Sequence, residues 1–181
     1  MLTPAKLNAT YQDVLDAPEN MRAELLDGRL YLQARPRGNH QLAAGRLFSR
    51  LDAAAREMGW VFLPEVELHL GGDVLTPDIS GWRVERATEG LEVAGYKVAP
   101  DWVCEVLSPS TRKYDSDDKR AKYLRNGIGA LWEVDPVERV VEVYALENGQ
   151  YVWRETMGGD DGGRLWPFEQ VVLELAHLWS H

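Results

Sequence analysis

The segment Trp102-Val103-Cys104-Glu105-Val106-Leu107 constrains the fold more than any other stretch of this chain. Side chains of a strand alternate between faces, so Trp102, Cys104 and Val106 share one side while Val103, Glu105 and Leu107 share the other. Every one of them is apolar except Glu105. A strand apolar on both faces runs through the interior of a sheet that is covered above and below. One of those covering layers must therefore accommodate a carboxylate, and an unpaired buried ion is strongly destabilising. Glu105 needs a metal ion or a cationic side chain beside it.

The rest of the chain supplies the layers. Its 181 residues suit one domain spanning 1–181, by the usual range of roughly 100–200 residues per domain. Apolar residues at 45% and charged residues at 27% are ordinary globular values. No apolar run approaches the ~18 residues of a membrane span. The first residues lack a signal-peptide pattern, and the lone Cys104 has no disulfide partner. A reducing, cytoplasmic location is expected.

Thr10 caps a short helix with Asp13 at its third position. Glu24 to Leu32 reads as two strands about an Asp27-Gly28 turn. Asn39 caps a longer helix in which Leu47, Leu51, Ala54 and Met58 recur at helical spacing, with Ala44, Phe48 and Ala55 widening the stripe until Gly59. Val66, Leu68 and Leu70 alternate with polar residues, and Gly71-Gly72 turns the chain into a strand predicted from Val74 to Val84 that contains Asp78. After the strand of Glu105, Asp115 or Ser116 caps a second helix with Ala121, Leu124 and Ile128 facing inward. Strands return at Leu131–Pro136, Val140–Tyr144 and Tyr151–Trp153, whereas Val171–Ala176 is compatible with strand or helix. The predicted class is α+β: a mixed sheet flanked by helices, with extra hairpins at both ends.

Within this frame Asp78 and Glu105 fall on neighbouring strands, and Lys119 rides the helix that follows. Two carboxylates and an ammonium suit a hydrated divalent ion such as Mg²⁺, which takes one or two carboxylates, waters and substrate phosphate. Each residue also has a plainer reading. Glu105 could be a paired structural carboxylate, Asp78 a turn residue after Pro77, and Lys119 a solvated helix lysine. Cys104, without a patterned partner, reads as a core residue, and His69 as a solvent-facing one.

Several separate pieces occur in one order: Glu24-Leu25-Leu26-Asp27-Gly28, His40-Gln41, Pro77-Asp78, Pro100-Asp101 through Glu105-Val106-Leu107-Ser108-Pro109-Ser110-Thr111, Asp115 with Lys119 and Tyr123, and Trp132 with Val134-Asp135-Pro136. Together they resemble the PD-(D/E)XK nuclease superfamily and, within it, the Uma-type family of small restriction-endonuclease-like proteins. The resemblance spans roughly Glu24 to Leu175. It implies a restriction-endonuclease-like fold, with Asp78 and Glu105 as metal ligands and Lys119 as the catalytic lysine, moved from the strand to the following helix. The superfamily's usual lysine position, two after the glutamate, holds Leu107. Ala130, Leu131 and Glu133 also depart from the family's usual residues.

The activity implied is hydrolysis of DNA phosphodiester bonds by an endonuclease using Mg²⁺, with Mn²⁺ as substitute, and with the carbonyl of Val106 joining Asp78 and Glu105 at the metal. Glu24 reads as an accessory acid or as a strand-face glutamate, and His40 as a cap or a phosphate contact. A net charge of −9 opposes a nucleic-acid partner. Yet Arg35, Arg37, Arg46, Arg50 and Arg56 face only Asp52 in their stretch, and residues 112–125 are also locally basic. Arg46, Arg50, Arg112 and Lys113 are the expected DNA-backbone contacts, although two ordinary solvated helix faces would give the same charge pattern. A homodimer is a further expectation, and a nuclease-fold module that binds nucleic acid or a protein without cutting is the alternative.

Overall fold

The computed structural model describes residues 2–35, 38–88, 95–108 and 114–179, with the backbone alone described at residues 56, 115 and 116. Two sheets carry the architecture. The larger has six strands in the order β11-β10-β9-β8-β7-β4: β4 Trp60–Pro64, β7 Ile79–Arg83, β8 Trp102–Val106, β9 Ala130–Asp135, β10 Val140–Glu147 and β11 Gln150–Gly158. β8 pairs antiparallel with β7 and parallel with β9, which makes it an interior strand of a mixed sheet. The smaller sheet has the order β1-β3-β2-β6-β5, from β1 Lys6–Leu7, β2 Met21–Leu26, β3 Arg29–Ala34, β5 Leu68–Leu70 and β6 Asp73–Leu75.

The alternation in β8 sorts the core into two layers. Trp102, Cys104 and Val106 join Trp132 and Val134 of β9 under helix α2 (Asn39–Met58), whose Ala43, Leu47, Leu51 and Ala55 form the apolar stripe. Phe168 plugs this layer, with its ring 5.0–5.4 Å from those of Trp60, Phe62, Trp102 and Trp132. On the opposite face Val103 and Leu131 pack with Leu26, Tyr31, Leu68 and Leu75 of the smaller sheet and with Tyr114 and Tyr123. The central strand is thus covered on both sides, as its sequence requires.

Local signals behave as expected at several points. The Thr10 N–H donates to Asp13 at 2.8 Å at the start of α1 (Tyr11–Leu15), and Asp27 and Gly28 turn β2 into β3 with φ of 47° and 67°. Gly59, at φ 68°, ends α2.

Other expectations need correction. The strand expected over Val74–Val84 is two strands in different sheets, β6 and β7, because Thr76-Pro77-Asp78 crosses between them. β4 is an added element: Trp60 to Pro64 directly after the helix pairs with β7. The second helix begins as a π-helical turn, Tyr114–Lys119, before α3 (Arg120–Arg125). The wider turn rotates its faces, so Lys119, Lys122 and Tyr123 point inward while Ala121 is exposed and Leu124 is half-buried. Side chains at the expected caps, Asp115 and Ser116, lie outside the described residues. His69 is partly buried, paired with Glu67 at 3.0 Å and edge-on to Tyr11. Within Val171–Ala176, Leu173–Glu174 forms β13 against β12 (Gly162–Gly163), and Ala176 opens the short α4 (Ala176–Trp179).

Candidate active site

The crossover Thr76-Pro77-Asp78 lies where the two sheets meet, and the buried charges gather around it. Asp78 immediately precedes β7. Since Ile79 is the register partner of Cys104, the same register sets Asp78 opposite Glu105. The Asp78 carboxylate is almost wholly buried: Oδ2 accepts the Val106 N–H at 2.8 Å and lies 3.2 Å from His40 Nε2, and Oδ1 accepts Arg22 Nη2 at 3.0 Å. Burial alone would raise its pKa. The His40 hydrogen bond and the charges of Arg22 and Lys119 outweigh burial and hold it at about 2. Burial likewise opposes the charge on Arg22, but Asp78, Glu24, Glu105 and Glu65 together hold that guanidinium above its ordinary value.

Glu105 projects from the opposite face of β8 to Cys104. Its Oε1 lies 2.6 Å from Lys119 Nζ and accepts a hydrogen bond from the Tyr123 hydroxyl. Lys119 Nζ also lies 3.1 Å from Glu24 Oε1 and 3.4 Å from the Thr76 carbonyl. Glu24 is fixed in turn by the Thr76 N–H at 2.7 Å and by Gln33 at 3.0 Å. Both main-chain polar groups of Thr76 are therefore used inside this cluster, so the crossover that delivers Asp78 is anchored on Glu24 and Lys119. Lys119 and Tyr123, four residues apart along the π-helical turn and α3, both reach Glu105.

Asp78, Glu105, Lys119, Glu24 and His40 therefore come together. Val106 is there too, its N–H on Asp78. Arg46 and Arg50 lie on the outer flank of α2, donating to the carbonyls of His177 at 2.7 Å and Val172 at 3.1 Å along a groove of about 660 Å³. Arg112 and Lys113 lie outside the described residues. Sequence reasoning passed over Arg22 altogether. Its signal was its position two residues before Glu24 on one strand, which puts both side chains on the same face. Tyr123 belonged to the motif order without a role, and its spacing from Lys119 was the signal.

Glu133 shows how a departure from the family pattern is absorbed. It is the register partner of Glu105 on β9, is buried, and is neutralised by Arg120 at 2.7 Å, whose guanidinium stacks 4.1 Å above the Tyr144 ring. Cys104 is on the other face, in the apolar layer, where burial pushes its thiol well up. A thiolate ligand is excluded from the site by that geometry.

Among the described residues, no three His, Cys, Asp or Glu side chains are arranged as a metal-holding set. Asp78 and Glu105 occupy opposite register positions, and hard oxygen donors of this kind suit Mg²⁺ or Mn²⁺, which retain water ligands. Ammonium and guanidinium groups balance the same carboxylates, so a cation is already built into the arrangement.

No curated protein matches the chain. A solved structure described as that of a putative nuclease from Anabaena variabilis superposes with a TM-score of 0.77 at 22% sequence identity, covering 94% of this chain and 97% of that one, which shows a common fold. The family model Uma2, described as "putative restriction endonuclease", matches residues 9–176 and takes in every carboxylate and cation of the site. The chain belongs to the Uma2 family of restriction-endonuclease-like nucleases.

Proposed function

We propose that this protein is a metal-dependent endonuclease that hydrolyses phosphodiester bonds of DNA. One observation carries the reading: Asp78 and Glu105 are both buried and are brought to opposite register positions where the approach to β7 meets β8, with Lys119 Nζ 2.6 Å from Glu105. Asp78, Glu105 and the carbonyl of Val106 would hold Mg²⁺, with Mn²⁺ able to substitute. When bound, the ion supplies Lewis-acid polarisation of the phosphate and lowers the pKa of a coordinated water.

The chain's own groups prepare that chemistry. Val106 N–H, His40 and Arg22 keep Asp78 ionised and fixed in orientation. Tyr123 and Lys119 fix Glu105, and Glu24 holds Lys119 from its other side. An ammonium aimed into a water-poor site is a preorganised donor for the charge that develops on phosphate oxygen during attack. His40, at the start of α2, stands where a helix N-terminus favours an anion. Arg46, Arg50, Arg112 and Lys113 are proposed backbone contacts, giving affinity without sequence information. A cytoplasmic location and a homodimer complete the reading, and no helix among the described residues is long and apolar enough to cross a membrane.

Purified protein should nick supercoiled plasmid with Mg²⁺ or Mn²⁺, stop on chelation, and lose cleavage on Glu105→Ala. Equal nicking by wild type and variant would mark a contaminating nuclease. A second reading, a module that binds without cutting, is favoured by the way Lys119 already spans Glu105 and Glu24. Mn²⁺ that leaves the melting temperature unchanged, together with absent nicking, would select it.

A further inference from the structure

We infer that Arg22 is a substrate-phosphate contact of this site and that Glu65 is an internal competitor for it, occupying the guanidinium until DNA arrives. The inference deepens the nuclease reading and rests on it. Arg22 projects from β2 with its side chain only 11% exposed, and a single nitrogen, Nη2, pairs with two carboxylates of opposite character. Asp78, on one side, is 2% exposed and held by three donors. Glu65, on the other, is 50% exposed and approaches Arg22 from the solvent side.

The two pairs differ in how readily they exchange. A buried carboxylate cannot leave its guanidinium without becoming an uncompensated charge, whereas an exposed one rotates into water at little cost. The Asp78 contact is therefore the fixed one and the Glu65 contact the replaceable one. An incoming anion that takes Glu65's place meets a planar fork matched to phosphate oxygens, already oriented by Asp78.

Glu65 is also placed with some care by the backbone. It follows the last residue of β4 at φ 48°, a left-handed conformation uncommon outside glycine, asparagine and aspartate. Its N–H donates to the carbonyl of Asp78 at 3.2 Å. The turn that presents the carboxylate to Arg22 is thus hydrogen-bonded to the proposed metal ligand's own residue. A groove of about 240 Å³ opens beside it, lined by Arg22, Glu65, Arg35, Glu67 and Thr76, the last being the residue whose carbonyl meets Lys119. Glu67 in that groove is engaged with Tyr11 and His69 instead.

The test measures affinity for a fluorescein-labelled 20-base-pair DNA duplex by anisotropy, with Ca²⁺ in place of Mg²⁺ so that binding is read without turnover. Glu65→Gln should tighten binding by up to about fivefold, the range an exposed ion pair allows. Glu67→Gln, which removes a charge from the same groove without freeing Arg22, should change affinity less. Arg22→Gln should weaken binding and lower the slope of log affinity against log salt by about one phosphate contact. Because Arg22→Gln also disturbs Asp78, the deciding comparison is Glu65→Gln made in the Arg22→Gln background, where the gain should vanish. Melting curves establish that each variant is folded. A gain that persists without Arg22, or that Glu67→Gln reproduces in full, is a general charge effect and overturns the inference. Weaker binding by Glu65→Gln makes Glu65 a helper at the metal and overturns it in the opposite sense. Cleavage and binding by the wild type with no response to Glu65→Gln overturn the inference alone, whereas no binding by wild type or Glu65→Gln overturns the nuclease reading as well.

Discussion

Lys119 is in direct ionic contact with two buried carboxylates, and that makes it a stability residue as well as a proposed catalytic one. Breaking one side of a buried ion pair costs about 3–5 kcal/mol, so Lys119→Met, which keeps the volume and removes the charge, should lower unfolding stability in urea by that order. It should abolish cleavage while enlarging the rise in melting temperature on adding Mn²⁺, since Glu24 and Glu105 then lack their ammonium. An unchanged Mn²⁺ response would separate these carboxylates from the metal. Asp78 gives a pH signature of known sign. Its folded pKa, about 2, lies below the unfolded value near 3.9, so its contribution is fully present above about pH 4 and is lost as pH falls towards 2. Equilibrium unfolding over that window should show wild type losing about 2 kcal/mol more than Asp78→Asn. Parallel curves would mean that Asp78 is not held as the structure places it.

The helix bearing Lys119 is clamped in place at its C-terminal half. Lys122 pairs with Asp27 and approaches Asp73 at 3.5 Å, Arg125 reaches Asp73 at 2.5 Å, and Asp73 also accepts the Asp27 N–H at 2.8 Å. Asp73 is 3% exposed, so Asp73→Ala leaves Lys122 underneutralised and should cost about 3 kcal/mol in urea unfolding. If the clamp sets where Lys119 sits, the same variant should lower kcat with little change in DNA affinity. At the far end of the site, β7 can lie against β4 and β8 only because residue 81 has no side chain. A Cβ there would stand 2.9 Å from the Phe62 ring and 3.1 Å from Trp102. Gly81→Ala should destabilise by about 1–3 kcal/mol through overpacking, read as a lower melting temperature. A neutral result would mean the aromatic layer gives way.

For the molecule as a whole, the proposed nuclease function requires a chain of net charge −9 to bind a polyanion through a local cationic face. DNA affinity should fall steeply with salt, and Arg46→Ala with Arg50→Ala should reduce the slope if those side chains leave the C-terminal carbonyls for phosphate. An unchanged slope would confine them to holding the C-terminal segment. What the sequence determined by itself were the features written in local periodicity and turn chemistry. The doubly apolar strand with Glu105, the stripe of α2, and the Asp27-Gly28 and Gly71-Gly72 turns each depend on residues close in the chain, and the motif order through Asp78, Glu105 and Lys119 is read along the chain without the fold. The tertiary structure alone decided that Thr76-Pro77-Asp78 passes from one sheet to the other, that Trp60–Pro64 is a strand, and that Lys119, Lys122 and Tyr123 face inward in place of Ala121. It alone brought Arg22 to Asp78, 56 residues away. Local pattern places polar side chains in water, and only the carboxylates that folding gathers from β2 and the turn after it, β6, β7's approach and β8 make burial of those cations favourable, because a buried charge is stable only beside its counter-charge.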